Sequence, residues 1–203
     1  MAIYHYPLYV RLWHLINALL ILLLIISGVS MQYSSPNSPL LRFDLSVQMH
    51  NICGIALSLN YLVFFIGNII TGNYKHYKIK LKGYIKELSD QFKHYIFGVF
   101  KQQPAPFPIT EERKFNPLQK LTYFFVMYLF VPMIIISGIA LFFPEIIVNQ
   151  IFGIGGIFLT AVFHSAIGFL ISIFLLIHVY FCTFGTKISS SFKSMISGWA
   201  ENH

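Results

Sequence analysis

Hydrophobic positions along this 203-residue chain are gathered into four long blocks, near residues 12–32, 46–71, 118–143 and 157–184. Lys120, close to the start of the third block, is the one Asp, Glu, Lys or Arg in all four. Crossing a bilayer core takes about 20 mostly apolar residues in a helix, so the pattern predicts an all-α integral membrane protein with four transmembrane helices. Residues 1–203 then form a single membrane domain, with a linker at 72–117 and a tail at 185–203. The small residues Ser27, Gly28 and Ser30 make the first block resemble a signal peptide, but it is long for a signal core and is read as a retained helix.

The polar stretches supply an orientation. Nine of the 14 Lys and Arg, from Lys75 to Lys114, fall in the linker between the second and third blocks, whereas the other two linkers together hold only Arg42. Basic residues stay on the inner side of a bacterial membrane. The 72–117 linker and both termini are therefore expected in the cytoplasm, and Arg11, Lys187 and Lys193 agree. Composition fits, with 56% hydrophobic residues, 17% aromatic and 10% charged. The net charge of +7 is then mainly an inner-surface feature facing anionic lipid, with no call for a nucleic-acid partner.

Within the linker Tyr74, Tyr77, Leu81, Leu88, Phe92, Tyr95 and Val99 recur at steps of three and four beside lysines, which predicts an amphipathic helix on the cytoplasmic surface. A looser lipid-hugging loop is the alternative, given Gly83 and Gly98. Prolines in QQPAPFPITEERKFNP end any helix there. Asn116 followed by Pro117 forms a cap and first turn for the third transmembrane helix, and Pro132 is expected to kink that helix. No internal repeat or low-complexity tract stands out.

Eight histidines are present, and His5, His76, His94 and His203 fall in aqueous segments or termini. The other four lie within the blocks. By depth, His14 and His178 share the inner level, while His50 and His164 share the outer one. In the fourth block fourteen residues separate His164 from His178, which places both on one helix face within roughly 40° and about 21 Å apart along the axis. Two histidines at each level, on different helices, suit two planar macrocycles each held by a pair of imidazoles: two haems b, whose bis-histidine ligation favours electron transfer over oxygen chemistry. Taken singly, each histidine is also accommodated as a packed residue hydrogen-bonded to a neighbouring helix. Tetrahedral zinc needs four ligands in one small cage, which two distant pairs do not supply.

Gly54 and Gly168 follow His50 and His164 by four residues, where they either let a porphyrin lie against backbone or serve ordinary helix packing. Arg11, one turn before His14, either pairs with haem propionates or anchors a helix end. Cys53 and Cys182 are single thiols at opposite depths, and the absence of CxxCH excludes covalent c-type haem.

RLWHLINALLILLLIISG, MHNICG, KFNPLQKL, FHSAIGFLISIFLLIHVY and FKSMISGW, in this order, resemble the dihaem cytochrome b membrane subunits of formate dehydrogenases, nickel-iron hydrogenases and thiosulfate reductases. The resemblance covers nearly the whole chain. It implies an inner-membrane subunit that exchanges electrons with a periplasmic iron-sulfur or multihaem cytochrome partner of a catalytic oxidoreductase. It also implies a menaquinone or ubiquinone site near the cytoplasmic surface. By position, His50 and His164 would hold the outer haem and His14 and His178 the inner one. Asn116, with Gln119 and His178, would line the quinone pocket, although Asn116 also reads as a helix cap. Leu118 departs from the glycine common in the formate dehydrogenase subunits. Two other classes are compatible: a stand-alone small quinone oxidoreductase, for instance one oxidising superoxide, and a haem-free membrane anchor or small transporter.

Overall fold

The structure, a computed structural model, describes residues 2–33, 35, 40–79, 82–108, 110, 113–184 and 188–201. Leu81, Lys187 and His203, singled out above, lie outside the described residues.

Four helices are long and apolar enough to cross a membrane: Leu8–Tyr33, Phe43–Ile70, Pro117–Phe142 and Gly156–Cys182. The first, second and fourth are α1, α2 and α6. The third is built from α4 (Pro117–Phe125), a π-helical turn (Val126–Phe130) and α5 (Val131–Phe142). That π turn is the chain's answer to Pro132. A proline ring clashes with the carbonyl four residues back and donates no hydrogen bond, and a local wide turn absorbs both defects without ending the helix.

These helices carry their apolar side chains outward. Leu15, Ile52, Ile136, Phe169 and Leu176 are all exposed, whereas Ser27, Ser30, Ser46 and Ser137 are buried. Lipid tails are as apolar as leucine, so burial of leucine gains little and close approach favours small residues between helices.

The chain divides into two compact units. One comprises Leu12–Ile66 and Phe130–Phe174. It contains most of α1 and α2, all of α5 and the first part of α6. Ser30 secures the loop end beside α1, with its Oγ donating to the Leu41 carbonyl (3.1 Å) and accepting from the Leu41 amide (3.0 Å). Trp13 stacks on Phe64 at 4.6 Å and donates its indole N–H to the Asn60 carbonyl. Between α5 and α6 a small hairpin pairs β2 (Gln150–Ile151) with β3 (Ile154–Gly155). Its turn, Phe152–Gly153, has positive φ at both residues (53° and 79°), as a two-residue hairpin turn requires. Gly156 is obligatory, because a Cβ there would sit 1.7 Å from the Val148 carbonyl oxygen.

The other unit comprises Met1–Arg11, Gly67–Leu129 and Leu175–His203. Here the two ends of the chain meet: β1 (Ala2–Tyr4) pairs antiparallel with β4 (Trp199–Glu201), directly after α7 (Ser190–Ser197). Gly198 ends α7 at φ 89°, and a Cβ there would lie 2.6 Å from the Tyr4 ring. Residues 73–77 form a 3-10 turn, and α3 (Tyr84–Lys93) follows Gly83 and runs on through a π turn at His94–Gly98. The inward stripe of this segment is Tyr84, Leu88, Gln91, Tyr95 and Gly98, so the polar Gln91 is buried while Phe92, Phe97 and Phe100 are exposed.

Candidate haem-binding site

In the first of these units α2 and α6 bring His50 and His164 together. Their ring centroids are 6.1 Å apart and their planes are inclined at 67°. Each ring is held by a serine from the helix that precedes it. Ser27 Oγ on α1 lies 3.0 Å from His50 Nδ1, and Ser137 Oγ on α5 lies 2.9 Å from His164 Nδ1. Each serine is followed by a glycine that lets the ring approach the helix. A Cβ on Gly28 would meet His50 Cε1 at 3.5 Å, and one on Gly138 would meet His164 Cε1 at 3.2 Å.

The residues fit haem. If both imidazoles presented Nε2 to one iron along a line, at about 2.0 Å each, their ring centres would stand about 6.2 Å apart, close to the 6.1 Å between His50 and His164. No group of three or more His, Cys, Asp or Glu able to hold a bare metal ion occurs among the described residues. Two imidazoles alone would hold a metal only within a cofactor that brings its own equatorial donors, as a porphyrin does. Beside His50, Gly54 has no atom within 4 Å of where its Cβ would be, while Gly168 would meet Ile134 Cδ1 at 3.5 Å. The open side at Gly54 suits a flat ring.

In the sequence Ser27 and Gly28 read only as small residues, and Ser137 carries no motif of its own. A signal was present: Ile-Ile-Ser-Gly occurs at 25–28 and again at 135–138. It is too brief to stand out in hydropathy, and its meaning rests on the histidine each copy faces.

His14 belongs to the same unit as His50 and His164, and its ring lies beside Trp13, 6.4 Å centre to centre. His178 belongs to the other unit. There its Nδ1 lies 3.4 Å from the Tyr123 hydroxyl and its Nε2 lies 3.9 Å from Cys182 Sγ. Both cysteines are free thiols.

Asn116 caps α4. Its Oδ1 accepts from the Gln119 amide at 2.9 Å, and Gln119 Oε1 accepts from the Asn116 amide at 3.1 Å, a reciprocal capping box. Its remaining amide group donates to the Tyr95 hydroxyl at 2.8 Å. Tyr84 donates its hydroxyl to the Pro117 carbonyl at 2.6 Å, and burial pushes that hydroxyl's pKa up to about 12. Arg11 donates to the Ile196 carbonyl and so ties the start of α1 to α7. That contact supports the anchoring role weighed for this arginine.

Just before α4, Lys114 is buried, with its ammonium 5.0 Å from the Tyr6 ring centre and 5.7 Å from that of Phe115. Burial lowers its pKa from 10.5 to about 8. It lines a recess of about 500 Å³ together with Lys75, Lys82, Arg113 and Lys120, opposed by Glu87.

Four helices long enough to cross a membrane and two imidazoles brought together between α2 and α6 are the features to set beside known proteins. A sequence model of the family described as prokaryotic cytochrome b561 matches residues 5–198. The chain belongs to that family, which binds haem b and carries electrons in the membrane. It is also 34% identical over 197 residues to a protein of Escherichia coli (strain K12) named "Putative cytochrome YdhU", covering 97% of this chain and 74% of that one.

Proposed function

We propose that this chain is the haem b electron-transfer subunit of a membrane-bound respiratory oxidoreductase complex. It passes electrons between a periplasmic-side iron-sulfur or cytochrome partner, attached to a catalytic subunit, and the quinone pool. The observation that carries the reading is the spacing of His50 and His164, which suits axial ligation on both sides of one iron. The assignment of His14 and His178 to a second haem rests on the sequence resemblance alone. Haem held by these histidines would supply one-electron oxidation and reduction.

The protein's own groups do the rest. Asn116 and Gln119 set the start of α4, and with His178 they are assigned to a quinone site on the cytoplasmic side. The paired strands β1 and β4 keep the chain ends together, in keeping with cytoplasmic termini. Exposed Phe92, Phe97 and Phe100 beside the lysines of the linker suit a segment lying on the inner leaflet, with the basic recess facing anionic headgroups.

Haem extracted and counted per chain from the purified membrane complex, with its dithionite-reduced minus oxidised spectrum, tests this reading. Two b-type haems per chain and co-purification of an iron-sulfur or multihaem subunit are expected. A colourless protein defeats the reading.

A further inference from the structure

We propose that Ser27 and Ser137 are positioning residues that fix the tautomer and rotation of His50 and His164, so that each presents a bare Nε2 to iron. The inference rests on the assignment of these histidines as the ligands of one haem.

The argument is one of hydrogen-bond accounting. A serine hydroxyl has one proton and two acceptor lone pairs. In Ser27 that proton is directed to a main-chain carbonyl one turn back, with Oγ 2.7 Å from the Leu23 oxygen and 3.1 Å from that of Leu24. Ser137 repeats this, with Oγ 2.8 Å from the Met133 oxygen and 3.2 Å from that of Ile134. A carbonyl can only accept, so these contacts use the hydroxyl proton. The remaining Oγ contact, to histidine Nδ1 at 3.0 Å and 2.9 Å, then has to be donated by the ring. A neutral imidazole that donates from Nδ1 carries its lone pair on Nε2. That is the form an axial ligand needs, and ligating histidines are habitually oriented through their other nitrogen in this way.

The arrangement occurs twice. In each, Ile-Ile-Ser-Gly lies on the helix preceding the histidine. In each, the serine is almost wholly buried, at 0% and 5% exposure, and the next residue is the glycine that admits the ring. A hydroxyl buried between helices for packing alone would not have to meet a ring nitrogen twice. Ser30, equally buried on the same helix, turns instead to the Leu41 backbone.

The test is potentiometric titration of the haem α-bands, with low-temperature electron paramagnetic resonance, on the purified complex carrying single substitutions. Ser27→Cys and Ser137→Cys nearly preserve volume but accept hydrogen bonds poorly, whereas Ser→Ala removes the serine acceptor and leaves the rings the backbone carbonyls of Leu24 and Ile134. Both kinds of change, at either serine, are expected to raise the reduction potential of the same one of two haems, because its ligand becomes a weaker electron donor. They should also broaden that haem's ferric signal by freeing the ring to rotate, and weaken its retention by about 10- to 100-fold. Ser27→Thr restores the acceptor and should return the potential toward wild type, and Ser30→Ala should leave both potentials unchanged. Two intact haems with unaltered potentials and signals in all Cys and Ala variants would overturn the inference while leaving the haem assignment standing. A wild-type protein without haem would overturn that assignment, and the inference with it.

Discussion

His50 and His164, 114 residues apart in the chain, stand with ring centroids 6.1 Å apart and planes inclined at 67°. That separation suits two axial nitrogens on one iron, and the inclination means the two imidazoles would not lie parallel. The bound haem is accordingly expected to show the large-g low-spin ferric resonance of bis-histidine haem with crossed ligand planes. A rhombic spectrum of parallel imidazoles would contradict the observed ring geometry.

Loss of one ligand should empty one site. His50→Ala and His164→Ala are each expected to reduce the haem content from two per chain to one, and the double variant should lose no more than either single one. His14→Ala or His178→Ala should remove the other haem. A pyridine haemochrome count for each variant checks the assignment, and loss of both haems in every variant would reduce it to a general folding effect.

The glycines give a graded prediction. Gly54→Ala meets no protein atom, and it should stabilise the helix itself by about 1 kcal/mol through better helix propensity. Gly54→Leu extends into the same open side and is expected to lower haem retention there without unfolding the chain. Gly138→Ala, whose methyl would stand 3.2 Å from His164 Cε1, should disturb the same haem's spectrum more than Gly28→Ala does at 3.5 Å from His50. Reduced spectra alongside thermal unfolding in detergent separate the two effects.

Asn116 carries two roles that different substitutions separate. Asn116→Ala removes the α4 cap and should cost about 1 kcal/mol of stability. Asn116→Ser keeps a capping oxygen but loses the donor that reaches Tyr95 at 2.8 Å. A near-normal melting temperature with sharply slower haem reduction by a quinol analogue is expected for the serine variant. Unchanged quinol reactivity would confine Asn116 to capping.

Lys114 should govern an alkaline stability change. Burial lowers its pKa in the folded protein to about 8 from 10.5. Between these values the unfolded chain binds the extra proton, so stability rises with pH across that window. Below about pH 8 the buried ammonium costs about 3 kcal/mol. Lys114→Met is expected to melt above wild type at pH 7, with the advantage shrinking from pH 8 to 10.5. His76, whose pKa is lowered by burial and by the charge of Lys114, should titrate at higher pH in the same variant. Thermal unfolding of both proteins across the range decides the matter.

Sequence alone was enough for features governed by the solvent or by near neighbours. A bilayer's thickness and its intolerance of charge make four spans legible as runs of apolar residues, and the expected windows lie within a few residues of α1, α2, the third helix and α6. The Asn116–Pro117 cap was equally legible, because a capping box closes within four residues. Tertiary structure decided what depends on partners distant in the chain. In a membrane both faces of a helix are apolar, so periodicity does not mark which side meets protein, and Ser27 and Ser137 became meaningful only when set against the ring nitrogens of His50 and His164. In α3, outside the spans, the inward stripe runs through Gln91 and leaves Phe92 exposed. Pro132 was visible as a defect in the third helix, but whether a kink or a π turn absorbs it depends on the packing around Val126–Phe130.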